Sequence, residues 1–182
     1  MCIRDRPGID SVNVRWETKV VAHAVSVGQT PLSGARNLIA VASGKGGVGK
    51  STTAINLALA LSAEGATVGM LDADIYGPSQ PRMMGLSGKP DSPDGKTITP
   101  PERFGVQMMS MGLLVAEEKA TIWRGPMASQ AFDQLLRLTN WGQPDAPLDY
   151  LVVDLPPGTG DIHLSISQRA PLTAAVLSLI HI

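Results

Sequence analysis

An apolar segment, a glycine-rich loop and a second apolar segment follow one another without a break from Asn37 to Glu64. Asn37-Leu38-Ile39-Ala40-Val41-Ala42 is short, apolar and partly β-branched, the pattern of a strand covered on both faces. Thr52 to Glu64 holds Ala54, Ile55, Leu57, Ala58, Leu59, Ala60 and Leu61, too apolar for a surface helix and suited to one packed on a sheet, with Gly65 as its stop. Between them, Gly44-Lys45-Gly46-Gly47-Val48-Gly49-Lys50-Ser51-Thr52 fits the frame Gly-x4-Gly-Lys-Ser. Such glycines let the backbone curl until successive N–H groups face one anion. Lys50 offers a point charge to outer phosphates, Ser51 a hydroxyl to Mg²⁺, and the following helix its positive end. The order strand, loop, helix therefore predicts a phosphate-binding loop. Lys45 is a second lysine inside it, which points to a second charge directed at a phosphoryl group, either within one subunit or across a subunit interface.

The remaining chain repeats the alternation. Thr67–Leu71 reads as a second buried strand ending at Asp72, Val106–Ser110 as a third, and Tyr150–Val153 as a fourth ending at Asp154. Thr173–Val176 starts a fifth. Arg124 to Leu138 has apolar residues at helical spacing (Met127, Ala131, Leu135, Leu138), and Ile162 to Arg169 reads as a short helix. Ile75 to Thr99 is rich in Gly, Pro and Ser and is predicted to be a long loop. Strands alternating with helices imply an α/β fold, a doubly wound, mostly parallel sheet of the P-loop kind. Ligand groups then gather at the carboxyl ends of the strands, where Ser43, Asp72 and Asp154 fall. Upstream, Val12–Trp16 alternates as a strand does, and Gly28 to Ala35 reads as a linker.

The two ends have a separate origin. Met1–Arg6 can be encoded by ATG TGT ATA AGA GAC AGN, whose reverse complement begins CTG TCT CTT ATA CAC AT and translates as Leu-Ser-Leu-Ile-His. The chain ends Leu177-Ser178-Leu179-Ile180-His181-Ile182. One DNA element read in both orientations accounts for both hexapeptides, so residues 1–6 and 177–182 are expected to be translated sequencing adapter flanking a truncated reading frame. The expected organisation is 7–35 as the end of something that began upstream plus a linker, and 36–176 as the phosphate-binding domain. The single cysteine, Cys2, falls in the first hexapeptide. No thiol nucleophile or Cys-based metal site is then expected. Basic and acidic residues nearly balance, 15 against 16. No nucleic-acid field is expected, and no apolar run reaches membrane-spanning length.

Phosphoryl transfer needs a metal, a positioned water and positive charge around the equatorial oxygens. Asp154 precedes Leu155-Pro156-Pro157-Gly158-Thr159-Gly160; an acid there can hold Mg²⁺ directly or through water, and Gly158 can offer a backbone N–H to a γ-phosphate. Asp72-Ala73-Asp74 closes the second strand, and alternation in an extended segment puts both acids on one side. One of them is suited to the metal shell and the other to orienting water. Arg124 is either an anion contact or a helix-start residue, Asn56 either a partner of a switch aspartate or a packing residue. His23 and His163 read as structural or surface residues, and Met108, Met109 and Met111 as core.

The loop Gly44–Thr53 resembles the deviant P-loop of the MinD/ParA/nitrogenase-iron-protein group. Within that group, Leu71-Asp72-Ala73-Asp74-Ile75-Tyr76-Gly77-Pro78-Ser79, Trp123-Arg124-Gly125-Pro126-Met127 and Asp154-Leu155-Pro156-Pro157-Gly158-Thr159-Gly160-Asp161 resemble the Mrp/ApbC iron–sulfur cluster carrier ATPases, and the resemblance runs from about Pro7 to Val176. It implies that 7–35 is the tail of a small N-terminal domain plus linker and that 36–176 is an ATPase domain without its C-terminal part. It also implies a cytoplasmic homodimer with ATP near the interface, using neither nucleic acid nor membrane. Lys45 would reach the partner's nucleotide; Lys50, Ser51 and Thr52 would bind phosphate and Mg²⁺. Asp74 would orient water in the first switch, and Asp154 would sit in the second. The family carries a bridging iron–sulfur cluster, of the 4Fe-4S type, on a Cys-x-x-Cys pair in a C-terminal part beyond these residues, and hands it to apo-proteins. The alternative is a spatial-organising ATPase of the MinD or ParA kind, which needs a terminal amphipathic helix or a basic patch. A reductase like the nitrogenase iron protein needs a cluster cysteine soon after the second switch, and Gly160 to Arg169 has none.

Overall fold

The computed structural model describes residues 11–15, 19–23, 30–114, 125–143, 145–158, 166 and 168–178. The strands are β1 (Ala35–Ala42), β2 (Val68–Asp72), β3 (Glu102–Arg103), β4 (Val106–Ser110), β5 (Leu148–Asp154) and β6 (Ala174–Leu177). The helices are α1 (Lys50–Ala63), α2 (Gln80–Met84), α3 (Met111–Leu114) and α4 (Gly125–Leu138). The sheet order is β3-β4-β2-β5-β1-β6. Every pairing is parallel except β3 with β4. β5 enters between β1 and β2, so three strand ends that are distant in sequence become neighbours. The doubly wound expectation stands.

Two apolar layers cover the sheet, and strand period decides which residue faces which. Val68 and Met70 of β2, Met108 of β4 and Val152 of β5 pack with Ala54, Ile55 and Ala58 of α1. Leu71, Met109, Leu151 and Val153 turn the other way, toward Phe132 and Leu135 of α4 and toward Trp141. A 14-residue helix such as α1 is marginal alone, so this burial holds it. At Gly69 of β2 an added Cβ would lie 2.6 Å from Leu148 Cδ1, so a side chain there would make that leucine move.

The amino edge of the sheet is closed by polar bonds. Asp149 accepts from Thr67 N (2.9 Å) and Thr67 Oγ1 (3.0 Å) and pairs with Arg36. Burial alone would raise the Asp149 carboxyl, but these donors outweigh it and hold it below the usual range. Asn37 donates to the Asp149 carbonyl (3.1 Å) and to Val21 O (3.0 Å), and His23 donates to Asn37 Oδ1 (3.1 Å). His23 makes that bond through its backbone N–H and is exposed, in keeping with its reading as a structural or surface residue; His163 lies outside the described residues.

Four expectations need correction. The described part of Val12–Trp16 forms no strand; residues 11–15 are exposed and lie outside every strand of the sheet. The stretch expected as an unbroken loop contains α2, started with Pro81 in its first turn and stopped by Gly85 in the left-handed region, while the two-residue β3 was not foreseen. The buried face of α4 is Ala128, Ala131, Phe132, Leu135 and Leu136, whereas Met127 and Leu138 are exposed. β6 continues past Val176: Leu177 pairs with Ala42, and Ser178 N bonds the Ala42 carbonyl (2.9 Å). Backbone pairing needs no particular side chain, so the strand can extend into the expected adapter residues. Residues 1–6 and the helix expected over Ile162–Arg169, apart from Ile166 and residues 168–169, lie outside the described residues.

Candidate functional site

At the carboxyl edge, Asp72, Asp154 and Ser110 stand in register on three adjacent strands, and β1 leads into the glycine loop beside them. Gly47 (φ 74°) and Gly49 (φ 76°) are left-handed with no atom near where a Cβ would be, so these glycines are required for backbone shape rather than space. Ser43 Oγ donates to the Lys45 carbonyl (3.0 Å) and steadies the loop's entry. Gly44, Lys45, Gly46 and Gly47 are exposed, Val48 is half-buried, and Gly49 immediately precedes α1.

Lys50, the first residue of α1, is buried and forms an ion pair with fully buried Asp154. The other Asp154 oxygen accepts from Gln80 Nε2 (2.8 Å), which also donates to the Ser51 carbonyl (2.9 Å). Gln80, at the start of α2, therefore ties the glycine-loop helix to the end of β5. Lys50 Nζ also lies 3.4 Å from Ser51 Oγ. Gly158 N–H, placed by its sequence as a phosphate donor, donates to the Ser43 carbonyl (3.0 Å) here.

Asp72 is buried and organises the segment that follows β2. Its Oδ1 accepts from Asp74 N (3.1 Å); its Oδ2 accepts from Ser79 N (3.1 Å), Gln80 N (3.1 Å) and Ser110 Oγ (3.2 Å). Burial pushes its carboxyl up to about 7; N–H donors offset this only in part, and Asp154 adds to it. The chain does not continue extended to Asp74 as expected. It turns at once, with Ile75 N bonding Ala73 O (3.0 Å), and Asp74 sits half-buried, accepting from Gly77 N (3.2 Å). Burial also raises the Asp74 carboxyl, and Lys50 pulls it back.

The structure brings Lys50, Ser51, Asp72, Asp74 and Asp154 together around one loop. Lys45 and Thr52 stay exposed at its rim. Asn56 is exposed and bonds Thr52 O of its own helix (2.8 Å), taking neither of the two roles open to it. Arg124 lies outside the described residues, and the three methionines are core. Gln80 and Ser110 were missed: the first lies in a stretch read as loop, the second was read only as a strand end.

Oxygen donors dominate this edge, suiting a hard cation such as Mg²⁺. No cluster of three or more His, Cys, Asp or Glu side chains capable of holding a metal is found among the described residues. Mg²⁺ at phosphate sites takes only one or two carboxylates, the phosphates supplying the rest. Ser51 Oγ and the Asp154 carboxylate provide such a set, and Gln80 Oε1, buried and unpartnered among the described residues, is a further oxygen. The residues fit the cation.

A sequence profile of the NUBPL iron-transfer P-loop NTPases matches residues 34–179. The chain belongs to this family. It is 57% identical over 150 residues to an iron-sulfur cluster carrier protein of Haemophilus influenzae, covering 82% of this chain and 40% of that protein. It is 54% identical over 151 residues to the iron-sulfur cluster transfer protein NUBPL of Mus musculus, covering 82% of this chain and 46% of the relative. The chain thus spans less than half the length of these NUBPL-type relatives. Among solved structures, a nucleotide-binding protein of Archaeoglobus fulgidus in complex with ADP superposes with a TM-score of 0.66 at 39% identity, covering 79% of this chain and 54% of that one. The resemblance to iron–sulfur carrier P-loop proteins read from the motifs is thereby confirmed. No helix among the described residues is long and apolar enough to cross a membrane.

Proposed function

We propose that this chain binds and hydrolyses ATP with Mg²⁺ at the glycine loop, as the nucleotide half of a protein that carries iron–sulfur clusters to apo-proteins. The observation that carries the reading is the buried Lys50–Asp154 pair beside a loop whose glycines are held in the left-handed region. Backbone N–H groups of Gly44, Lys45, Gly46, Gly47, Val48 and Gly49 would surround the phosphates, with Lys50 turning from Asp154 to the outer phosphate. That turn frees an Asp154 oxygen. Ser51 and Asp154 would hold Mg²⁺, with Thr52 on the phosphates and Asp72 supporting from behind. Mg²⁺ neutralises charge developing on the phosphate oxygens.

Asp74, half-buried with its carboxyl raised by burial, is suited to orienting water. Gly158 would exchange its Ser43 carbonyl for the γ-phosphate. Lys45, exposed at the rim, would reach the nucleotide of a second copy, which makes the working form a homodimer. The relatives' names, iron-sulfur cluster carrier protein and iron-sulfur cluster transfer protein, support an iron–sulfur cluster as cargo. A 4Fe-4S type held by the part of the longer protein outside this chain, and a cytoplasmic setting without nucleic acid or membrane, are carried over from the family resemblance of the motifs. The test is titration of the chain with fluorescent ADP and ATP, followed by phosphate release with and without Mg²⁺. Saturable binding lost in Lys50→Ala supports the nucleotide site; no binding to the unaltered chain sinks it. For the longer protein, transfer of a reconstituted cluster to an apo-protein tests the carrier role.

A further inference from the structure

Gln80 is fully buried and has one half of its amide in use. Nε2 holds Asp154 Oδ2 at 2.8 Å and the Ser51 carbonyl at 2.9 Å. Oε1 is buried and unpartnered among the described residues. The amide orientation is fixed by these partners: both are acceptors, so the nitrogen must face them. The oxygen of the same amide is therefore turned away from these two acceptors, one bond angle from the nitrogen that holds Asp154. Buried acceptors are rarely left unmatched, and an orphan beside a site points to a donor that arrives with the ligand. A nucleotide phosphate offers no donor, whereas water in the hydration shell of a divalent cation offers strongly polarised O–H groups.

We propose that Gln80 is a positioning residue for the cation: Oε1 accepts from hydration-shell water while Nε2 fixes the Asp154 carboxylate. This rests on the nucleotide reading above and adds a residue to it. Asp72 completes the device, since its Oδ2 accepts from Gln80 N (3.1 Å) and sets the start of α2. Gln80 would then couple the segment after β2 to the metal rather than to the phosphates.

The measurement is calorimetric affinity of the chain for ADP with Mg²⁺ and with EDTA, in the unaltered protein, Gln80→Leu and Gln80→Met. Whatever ADP affinity the Gln80 variants keep in EDTA, the tightening produced by Mg²⁺ should be smaller in them by roughly 10-fold or more, the usual scale for a group that orients a metal's ligands. Mn²⁺ in place of Mg²⁺ adds a spectroscopic readout, because water-proton relaxation reports the hydration of the bound ion and should change in the variants. An unchanged Mg²⁺ effect overturns the inference, as does an equal loss with and without metal in both variants, which would make Gln80 a packing residue. Failure of the unaltered chain to bind ADP at all instead defeats the nucleotide reading.

Discussion

Lys50 and Asp154 pair inside the protein, one at the first turn of α1 and the other at the end of β5, Lys50 6% exposed and Asp154 not at all. Two charges can be buried this way only because each also has a polar neighbour: Gln80 on Asp154, Ser51 on Lys50. Removing one partner strands the other. Asp154→Ala should therefore cost about 3–5 kcal/mol in unfolding free energy, measurable by urea titration. A loss under about 1 kcal/mol, the range of an exposed pair, would show that the Lys50 ammonium escapes to water and that the two are not locked together.

Lys45 is the opposite case. Its side chain is exposed and its carbonyl, not its ammonium, takes the bond from Ser43. Lys45→Ala should change stability by no more than about 0.5 kcal/mol, as expected of a surface residue, yet abolish ATP turnover when made in the longer protein. Stopped turnover with an unchanged melting curve fits a charge needed only in the assembled nucleotide site. Turnover at the unaltered rate would refute the role given to Lys45.

The Asp72 carboxyl gives a pH signature. Its pKa is raised to about 7 in the folded chain against 3.8 for the ordinary group. Between those values the native state keeps a proton that the unfolded chain gives up. Stability from this group therefore falls as pH rises through that window, by on the order of 4 kcal/mol in all. Below about pH 4 this stability is fully present and no longer changes with pH, because both states are protonated. Asp72→Asn cannot titrate, so the difference in unfolding free energy between it and the unaltered chain should shift steadily in the variant's favour from pH 4.5 to 7.5. Parallel profiles would mean that Asp72 stays ionised at neutral pH.

Why Lys50, Asp72 and Asp154 could be read from sequence, while Gln80 could not, follows from where each lies. The first three stand at joints where an apolar run stops, and parallel strands deliver such joints to one edge. Gln80 follows Gly77-Pro78-Ser79, a setting that signals turns, and its value depends on contacts 29 and 74 residues away. The helix it opens is five residues long, too short for periodicity to reveal. Alternation likewise misled at Val12–Trp16, since a strand exists only by pairing and pattern cannot supply the neighbour. In α4, Met127 and Leu138 obey helical spacing as well as Leu135 does; only the sheet decides that Ala128, Phe132 and Leu136 face inward.

Gly69 and Gly47 separate two reasons for having no side chain. At Gly69 an added Cβ meets Leu148 Cδ1 at 2.6 Å, Leu151 Cδ1 at 3.0 Å and Trp141 Cε3 at 3.1 Å, all within the packed layer beneath β2. Gly69→Ala must move those side chains, costing about 1–3 kcal/mol as overpacking does. At Gly47 nothing lies within 4 Å, and the only obstacle is φ of 74°. Gly47→Ala should cost about 1–2 kcal/mol if the loop keeps its shape, or nearly nothing if the loop relaxes. Relaxation would scatter the N–H groups that surround phosphate, so ADP affinity should fall at least 10-fold in Gly47→Ala while Gly69→Ala binds ADP normally once folded. Melting temperature and ADP titration on the two variants read these apart. Equal affinity loss in both would mean that the loop's shape is set by the sheet beneath it rather than by its own glycines.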